Sequence, residues 1–302
     1  MRSDELSASE RPAGSGRRLS AFLHRHPRGK LALLLLPPLG WMLVVYFGAL
    51  VLLFLSAFWR LDPFTAQVQR HWGLQNFQTL LHDSVYRVIA LRTAAIAAAV
   101  TIADVALAFP LAYFAARIAS ARERAVLLVV VVLPLWSSYL VRVFAWKVML
   151  QGDGFLPWLL SKVGLGSLQL GTSNWGIWLV FTYLWLPFVT LPIYASLERV
   201  PPSYLEASSA LGARASVTFR RVILPLVIPG VVAGSIFSFS LTLGDYITPS
   251  LIGKTSFIGN VVYTSVGVAN NVPFAAAYAL VPVAIMAVYL LVARRLHAFE
   301  AL

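Results

Sequence analysis

The sequence predicts an all-α membrane protein with six transmembrane helices, and three observations carry that prediction. Of its 302 residues, 59% are hydrophobic and only 12% charged, with a mean hydropathy of +0.77. The apolar residues gather into six stretches, at about 31–59, 88–116, 125–150, 175–196, 222–249 and 273–293. Each is close to the about 20 residues that cross roughly 30 Å of hydrocarbon as a helix. None shows the strict alternation of a membrane barrel strand, and an open strand edge has no hydrogen-bond partner in lipid.

The segments between the spans follow in order. Residues 1–30 are rich in Arg, Ser, Gly and Pro and are expected to form a basic cytoplasmic tail. The first apolar stretch is too long for a signal-peptide core and reads as a retained helix. Residues 60–87 form the first outer loop, where Phe77, Leu80 and Leu81 mark a short amphipathic helix lying at the interface. Residues 151–174 form the second, with Trp158 and Trp175 as anchors at headgroup depth. Residues 250–272 form the third, and the longest inner connection is 197–221.

The net charge of +12 is a topology signal. Arg17, Arg18, Arg25, Arg28 and Lys30 precede the first span, and Arg117, Arg122 and Arg124 separate the second from the third. Arg199, Arg214, Arg220 and Arg221 lie between the fourth and fifth, and Arg294 and Arg295 follow the sixth. That bias places both termini in the cytoplasm and argues for the lipid bilayer, not nucleic acid, as the partner of the charge. The absence of cysteine excludes disulfides and thiolate chemistry. The histidines at 24, 26, 71, 82 and 297 lack ligand spacing, so no metal is expected. No acid–base constellation appears at either face, so no catalytic residue is assigned and the chain is expected not to be an enzyme.

The inner connection is built like an ordered element. Pro201-Pro202 stops the preceding helix, Ser203 is placed to cap the next, and Glu206 three residues on would complete a capping box. Gly212 ends that helix where a left-handed conformation costs least. Arg214–Arg221 reads as a second short helix with a basic face, and Pro225 as the opening of the fifth span. The run Gly253-Lys254-Thr255 imitates the end of a P-loop, but Thr248 stands where the pattern needs glycine. The chain therefore has no nucleotide site of its own.

Only Asp104 and Asp245 are acidic residues within the predicted spans. Ionisable groups are expensive there and face a cavity or a partner. Asp245 beside Tyr246, with Trp136 and Tyr139 from another helix, could hold an organic ammonium by charge and ring-face attraction. Equally, Arg142, Arg92 or Lys147 could neutralise it as a structural partner. Asp104 has the same two readings, a pathway group or one paired with a basic residue or a companion subunit. Gly244 and Pro249 are expected to break the helix around Asp245.

The pattern Glu206-Ala207, then Gly212, then Ile223 and Pro225 resembles the EAA loop of ABC-importer permeases, departing from it at Ser208. Residues 133–146 and 243–251 resemble segments of polyamine-type (spermidine/putrescine) permeases, with Lys254 where that pattern often has glycine. The resemblance covers about 85–295 and implies a type I importer-permease fold, with a permease domain over 31–302 and the coupling loop at 197–225. It implies that Glu206, Ala207, Gly212, Ile223 and Pro225 dock an ATPase, and that Asp245, Tyr246, Trp136, Tyr139 and Asp104 are candidates to line the solute pathway. The implied partners are an ATP-binding cassette dimer that holds ATP and magnesium, a second homologous permease and an extracytoplasmic solute-binding protein. The implied place is the bacterial inner membrane. The implied cargo is a small cation, a polyamine first, with an amino acid, an opine or ferric ion as alternatives.

Overall fold

The computed structural model describes residues 27–62, 64–162, 164 and 170–295. Most of the expected basic tail, residues 1–26, lies outside the described residues, as do 296–302. The chain divides into two compact units, residues 1–55 and 56–302. In the first, helix α1 (Pro27–Met42) passes through a π-helical turn (Leu43–Phe47) into α2 (Gly48–Ser56). Of this run, Leu34–Ser56 is long and apolar enough to cross a membrane.

The second unit begins with a two-residue hairpin, β1 (Arg60–Leu61) against β2 (Val68–Gln69), and α3 (Gln75–His82), the expected amphipathic helix. Helix α4 (Ser84–Arg117) follows, started by Asp83, whose side chain accepts from Val85 N. Helix α5 (Ala121–Val132) carries a capping box made by Ser120 and Glu123 and ends in a 3-10 turn, Leu133–Trp136. Helix α6 (Tyr139–Leu150) and the short α7 (Phe155–Lys162) come next, then α8 (Asn174–Arg199). Helix α9 (Pro202–Ala210) leads to α10 (Ala215–Thr218), a π-helical turn (Phe219–Ile223) and α11 (Leu224–Gly244). Helices α12 (Ile247–Ile252), α13 (Ile258–Gly267) and α14 (Val272–Arg295) complete the described chain.

Five helical runs among the described residues are long and apolar enough to span a membrane. A helix pair, Ala121–Trp136 with Tyr139–Lys162, bent by 95°, passes the same test when its two helices are taken together, which brings the candidate spans to six if the pair is one broken span. The third span expected at 125–150 falls on this pair, which is broken rather than continuous. The break follows a 3-10 turn that Pro134 opens and Trp136 ends, where Ser137 is extended and Ser138 is non-helical. The fifth span is corrected at both ends. It starts upstream, since Ala215–Gly244 is one continuous run, and it stops at Gly244. The separate basic helix expected at Arg214–Arg221 is thus the first part of a long one. Pro225 sits inside that run, where it lacks an N–H and its ring crowds the preceding turn. The backbone widens to accommodate it: Leu224 N bonds Phe219 O, five residues back, in a π-turn. The third outer loop is not irregular either, since it contains the end of α12 and all of α13.

Helices α4, α8 and α11 make the most extensive mutual packing in the unit. Val100, Val143, Ile177, Phe181, Leu184 and Ile252 form one buried cluster. Ala108, Ala112, Ile193, Leu197, Ile223 and Val227 form another, nearer the end that carries α9. Small residues let α11 approach α8. A Cβ at Gly234 would lie 3.0 Å from the Val189 backbone, and one at Gly230 would lie 2.6 Å from Pro192 O. In lipid, such close van der Waals packing is what holds helices together.

Candidate solute pathway and coupling loop

The two breaks, Ser137–Ser138 and Asp245–Tyr246, meet. Tyr139, the first residue of α6, donates its phenol to Asp245 Oδ2, and its oxygen also lies 2.7 Å from Thr248 Oγ1. Asp245 Oδ1 accepts from Ile247 N at 2.7 Å and Thr248 N at 3.1 Å, so its carboxyl closes the first turn of α12. Unwound backbone at membrane depth is tolerated where it lines a cavity, and this break lines one. A cavity of about 400 Å³ is lined by Tyr139, Trp185, Ser240, Gly244, Asp245 and Tyr246, among others.

Aromatic faces flank the carboxyl. Tyr139 stacks on Trp185 at 6.0 Å between centroids, and Tyr246 stacks on Tyr263 at 4.5 Å. The break itself is braced from α13. Asn260 Nδ2 donates to Tyr246 O at 2.9 Å and to Ser250 Oγ at 2.6 Å. A Cβ at Gly259 would come within 2.8 Å of Asp245 O, so only glycine lets α13 press this close. Trp185, Thr248, Asn260 and Tyr263 were not singled out for this site from the sequence. They lie in runs whose local pattern gives no sign of what they meet.

Of the two readings of Asp245, the one in which Arg142, Arg92 or Lys147 neutralises it finds no ion pair among the described residues. Arg92 Nη2 donates instead to Ser256 O at 2.5 Å, and Lys147 lies over the Phe144 ring. Arg142 has buried Nε and Nη1 atoms without hydrogen-bond partners. Among the described residues the ion pair that forms is Arg124–Glu198, at 3.6 Å. Trp136 is 84% exposed at the end of its 3-10 turn and does not line the cavity. Asp104 is fully buried and separate from it. Ser238 Oγ on α11 donates to its Oδ2 at 2.5 Å, and among the described residues no basic side chain pairs with it.

Roughly 30 Å away, the length of α11 at 1.5 Å per residue, lies the loop between α8 and α11. Helix α9 starts with Pro202 in its first position and Pro201 as its cap, with no side-chain capping bond. The capping box expected from Ser203 and Glu206 is therefore corrected. The helix begins two residues earlier, with Pro201 and not Ser203 as its cap, because proline is pre-set for the first turn and needs no N–H there. The glycine stop is as expected. Gly212 has φ +74, with Gly212 N bonded to Ser209 O at 2.9 Å and Ala213 N to Ser208 O at 3.1 Å, a Schellman closure. Glu206, Ala207 and Gly212 face outward, and Leu211 is 87% exposed. Ile223 is buried in the cluster against which Leu205 and Phe219 pack, and Ser208 Oγ lies 2.8 Å from Thr218 Oγ1. Pro225 lies two residues past Ile223 and shapes the π-turn described above.

This architecture has solved counterparts. One structure of a bacterial alginate ABC transporter, in complex with an alginate pentasaccharide-bound periplasmic protein, matches 94% of this chain and 98% of its own with a TM-score of 0.72 at 17% identity. A second, of a bacterial ABC transporter involved in alginate import, matches 92% and 98% with a TM-score of 0.67 at 18% identity. The fold is that of an importer permease.

Residues 108–299 match the family described as the binding-protein-dependent transport system inner membrane component, and the chain belongs to that family. It is 46% identical over the full length of both chains to the inner membrane ABC transporter permease protein YdcU of Escherichia coli (strain K12). It is 29% identical over 84% of its length, and 92% of the relative's, to the spermidine/putrescine transport system permease protein PotB of the same organism. It is a component of a transport system, not an enzyme.

Proposed function

We propose that the chain forms half of an ATP-driven import pathway for an organic polycation of the spermidine/putrescine class. The observation that carries this reading is the meeting of two broken helices at Asp245. A carboxyl fixed by four neutral donors, with no basic ion-pair partner among the described residues, faces a cavity with the aromatic surfaces of Tyr139, Trp185 and Tyr246. Ring faces attract ammonium groups, and a fixed charge near them adds a longer-range pull. The naming of the PotB relatives for spermidine and putrescine supports the same class.

In this reading the exposed face of α9, with Glu206, Ala207 and Gly212, docks one subunit of an ATPase dimer, which holds the ATP and magnesium. Ile223 and Pro225 fix the root of the loop. A second homologous permease closes the other half of the pathway, and an extracytoplasmic binding protein delivers the solute. Both termini face the cytoplasm. Single cysteines at Ser15 and Ser256, on a chain with none of its own, then label from opposite sides of the membrane. Labelling of both from one side would refute that orientation.

The deciding experiment is uptake. Cells lacking endogenous polyamine uptake receive this chain with its ATPase, second permease and binding protein, and labelled spermidine, putrescine, an amino acid, an opine and ferric ion are compared. Saturable polyamine uptake is expected. Uptake of one of the others with no polyamine uptake overturns the substrate class.

A further inference from the structure

At the root of the coupling loop, Arg117, the last residue of α4, reaches across to the end of α8. Its Nη2 donates to Leu197 O at 2.5 Å and to Val200 O at 2.7 Å. Those carbonyls belong to the final turn of α8 and its cap, immediately before Pro201-Pro202. The last carbonyls of a helix have no intrahelical donor and carry the negative end of its dipole, so a guanidinium satisfies both needs at once. Val200 N also bonds Leu197 O, at 3.3 Å, and both side chains are buried with Ala108 and Ala112 of α4. The cation is half-buried, where a charge-assisted bond is stronger than at an open surface.

We propose that Arg117 is a positioning residue that couples the loop to α4: force received on α9 passes through the Leu197 and Val200 carbonyls into the helix that forms much of the bundle's core. This rests on the loop's proposed role as the ATPase dock. The geometry favours this tie over the others at the loop. The Arg124–Glu198 pair is longer, at 3.6 Å, and both side chains are substantially exposed, so it is weakened by water and salt. The Ser208–Thr218 contact joins α9 only to its own continuation. Arg117 alone among these three connects the junction of α8 and α9 to a different transmembrane helix by two short bonds.

The test uses the complete transporter in proteoliposomes, reading ATPase copurification, ATP hydrolysis and solute moved per ATP hydrolysed. Arg117→Met keeps an unbranched apolar stem and removes both bonds. It is expected to lower solute moved per ATP about tenfold, the factor that matches the loss of a charge-assisted bond, while the ATPase still copurifies. Arg117→Lys, whose ammonium still reaches one carbonyl, is expected to stay within roughly threefold of wild type. Glu198→Gln is expected to stay within about twofold, as an exposed pair should. A wild-type ratio in Arg117→Met overturns the proposal. So does loss of ATPase copurification in both Arg117 variants, which would make the residue a folding determinant. Failure of the wild-type chain to bind any ATPase would instead refute the loop's role as the dock.

Discussion

The loop at 201–214 and the break at 245–246 are both interruptions of helix, yet they are ordered by opposite means. Within 201–214 the loop is fixed locally, and the long-range tie from Arg117 meets only its root, at Leu197 and Val200. Pro202 starts α9, a left-handed Gly212 ends it, and its longest-range side-chain bond joins Ser208 to Thr218, ten residues away. The break is fixed from a distance, by Tyr139, 106 residues back, and by Asn260 from the next helix. A local device leaves its outer face free for a partner. A convergent one gathers several side chains around one point, which is what a binding pathway needs. The two regions therefore predict different mutational behaviour.

The largest expected effect is at the convergent site. Asp245→Asn keeps the shape but removes the charge, and uptake of a di- or tri-cation is expected to fall about a hundredfold, while the ATPase still copurifies. Normal transport by Asp245→Asn, together with destabilisation by Asp245→Ala, would make the carboxyl a helix-closing group and no more. Gly259→Ala belongs with it. The new methyl would meet Asp245 O at 2.8 Å and Gly244 O at 2.9 Å, and backbone cannot step aside as a side-chain tip can. Solute affinity measured by uptake KM is expected to weaken roughly tenfold, a cost of about 1–3 kcal/mol for such overpacking. An unchanged KM would show that the break tolerates movement.

Next comes the loop. Gly212→Asp places a side chain at φ +74, where non-glycine residues cost about 1–2 kcal/mol, and substrate-stimulated ATP hydrolysis is expected to fall several-fold. Gly212→Asn, the residue that best tolerates that conformation, is expected to recover most of it. If Asn is as damaging as Asp, the defect is in docking and not in backbone strain. No Cβ contact exists within 4 Å at Gly212, so space is not the issue.

The same contrast explains what could be read in advance. The glycine stop and the helix-breaking Gly244 obey local rules, and local rules are written in consecutive residues. Even there a neighbour intervened, because Pro202 took the first helical position and left Ser203 inside the turn instead of capping it. The bend at Ser137–Ser138 was less visible. Hydropathy runs on across it, and only Pro134 and two serines mark a chain that turns by 95°. Which partner Asp245 finds was not readable at all, since three cations lay within plausible reach. A tyrosine hydroxyl and two backbone amides reached it instead, as neutral donors do when a charge closes a helix turn. Asp104 taught the same lesson, meeting Ser238 on α11, a partner that none of its readings named.

The smallest effect tests whether the aromatic faces at the break act by their rings or by their hydroxyls. Tyr246 stacks on Tyr263 with planes 12° apart, and what the site asks of it is a ring. Tyr246→Phe keeps that ring and is expected to leave uptake within about twofold, since the stack, worth about 0.5–1.5 kcal/mol, survives. Tyr139 is the opposite case, because its hydroxyl is the bond that joins α6 to Asp245 and Thr248. Tyr139→Phe leaves the stack on Trp185 but strips that bond, and an uptake loss of about tenfold is expected from one charge-assisted hydrogen bond. Measured side by side, the two phenylalanine variants separate ring from hydroxyl at neighbouring positions. Equal losses would mean that the meeting of the two breaks is held by packing alone, and Asp245 would then be a local helix device like those of the loop.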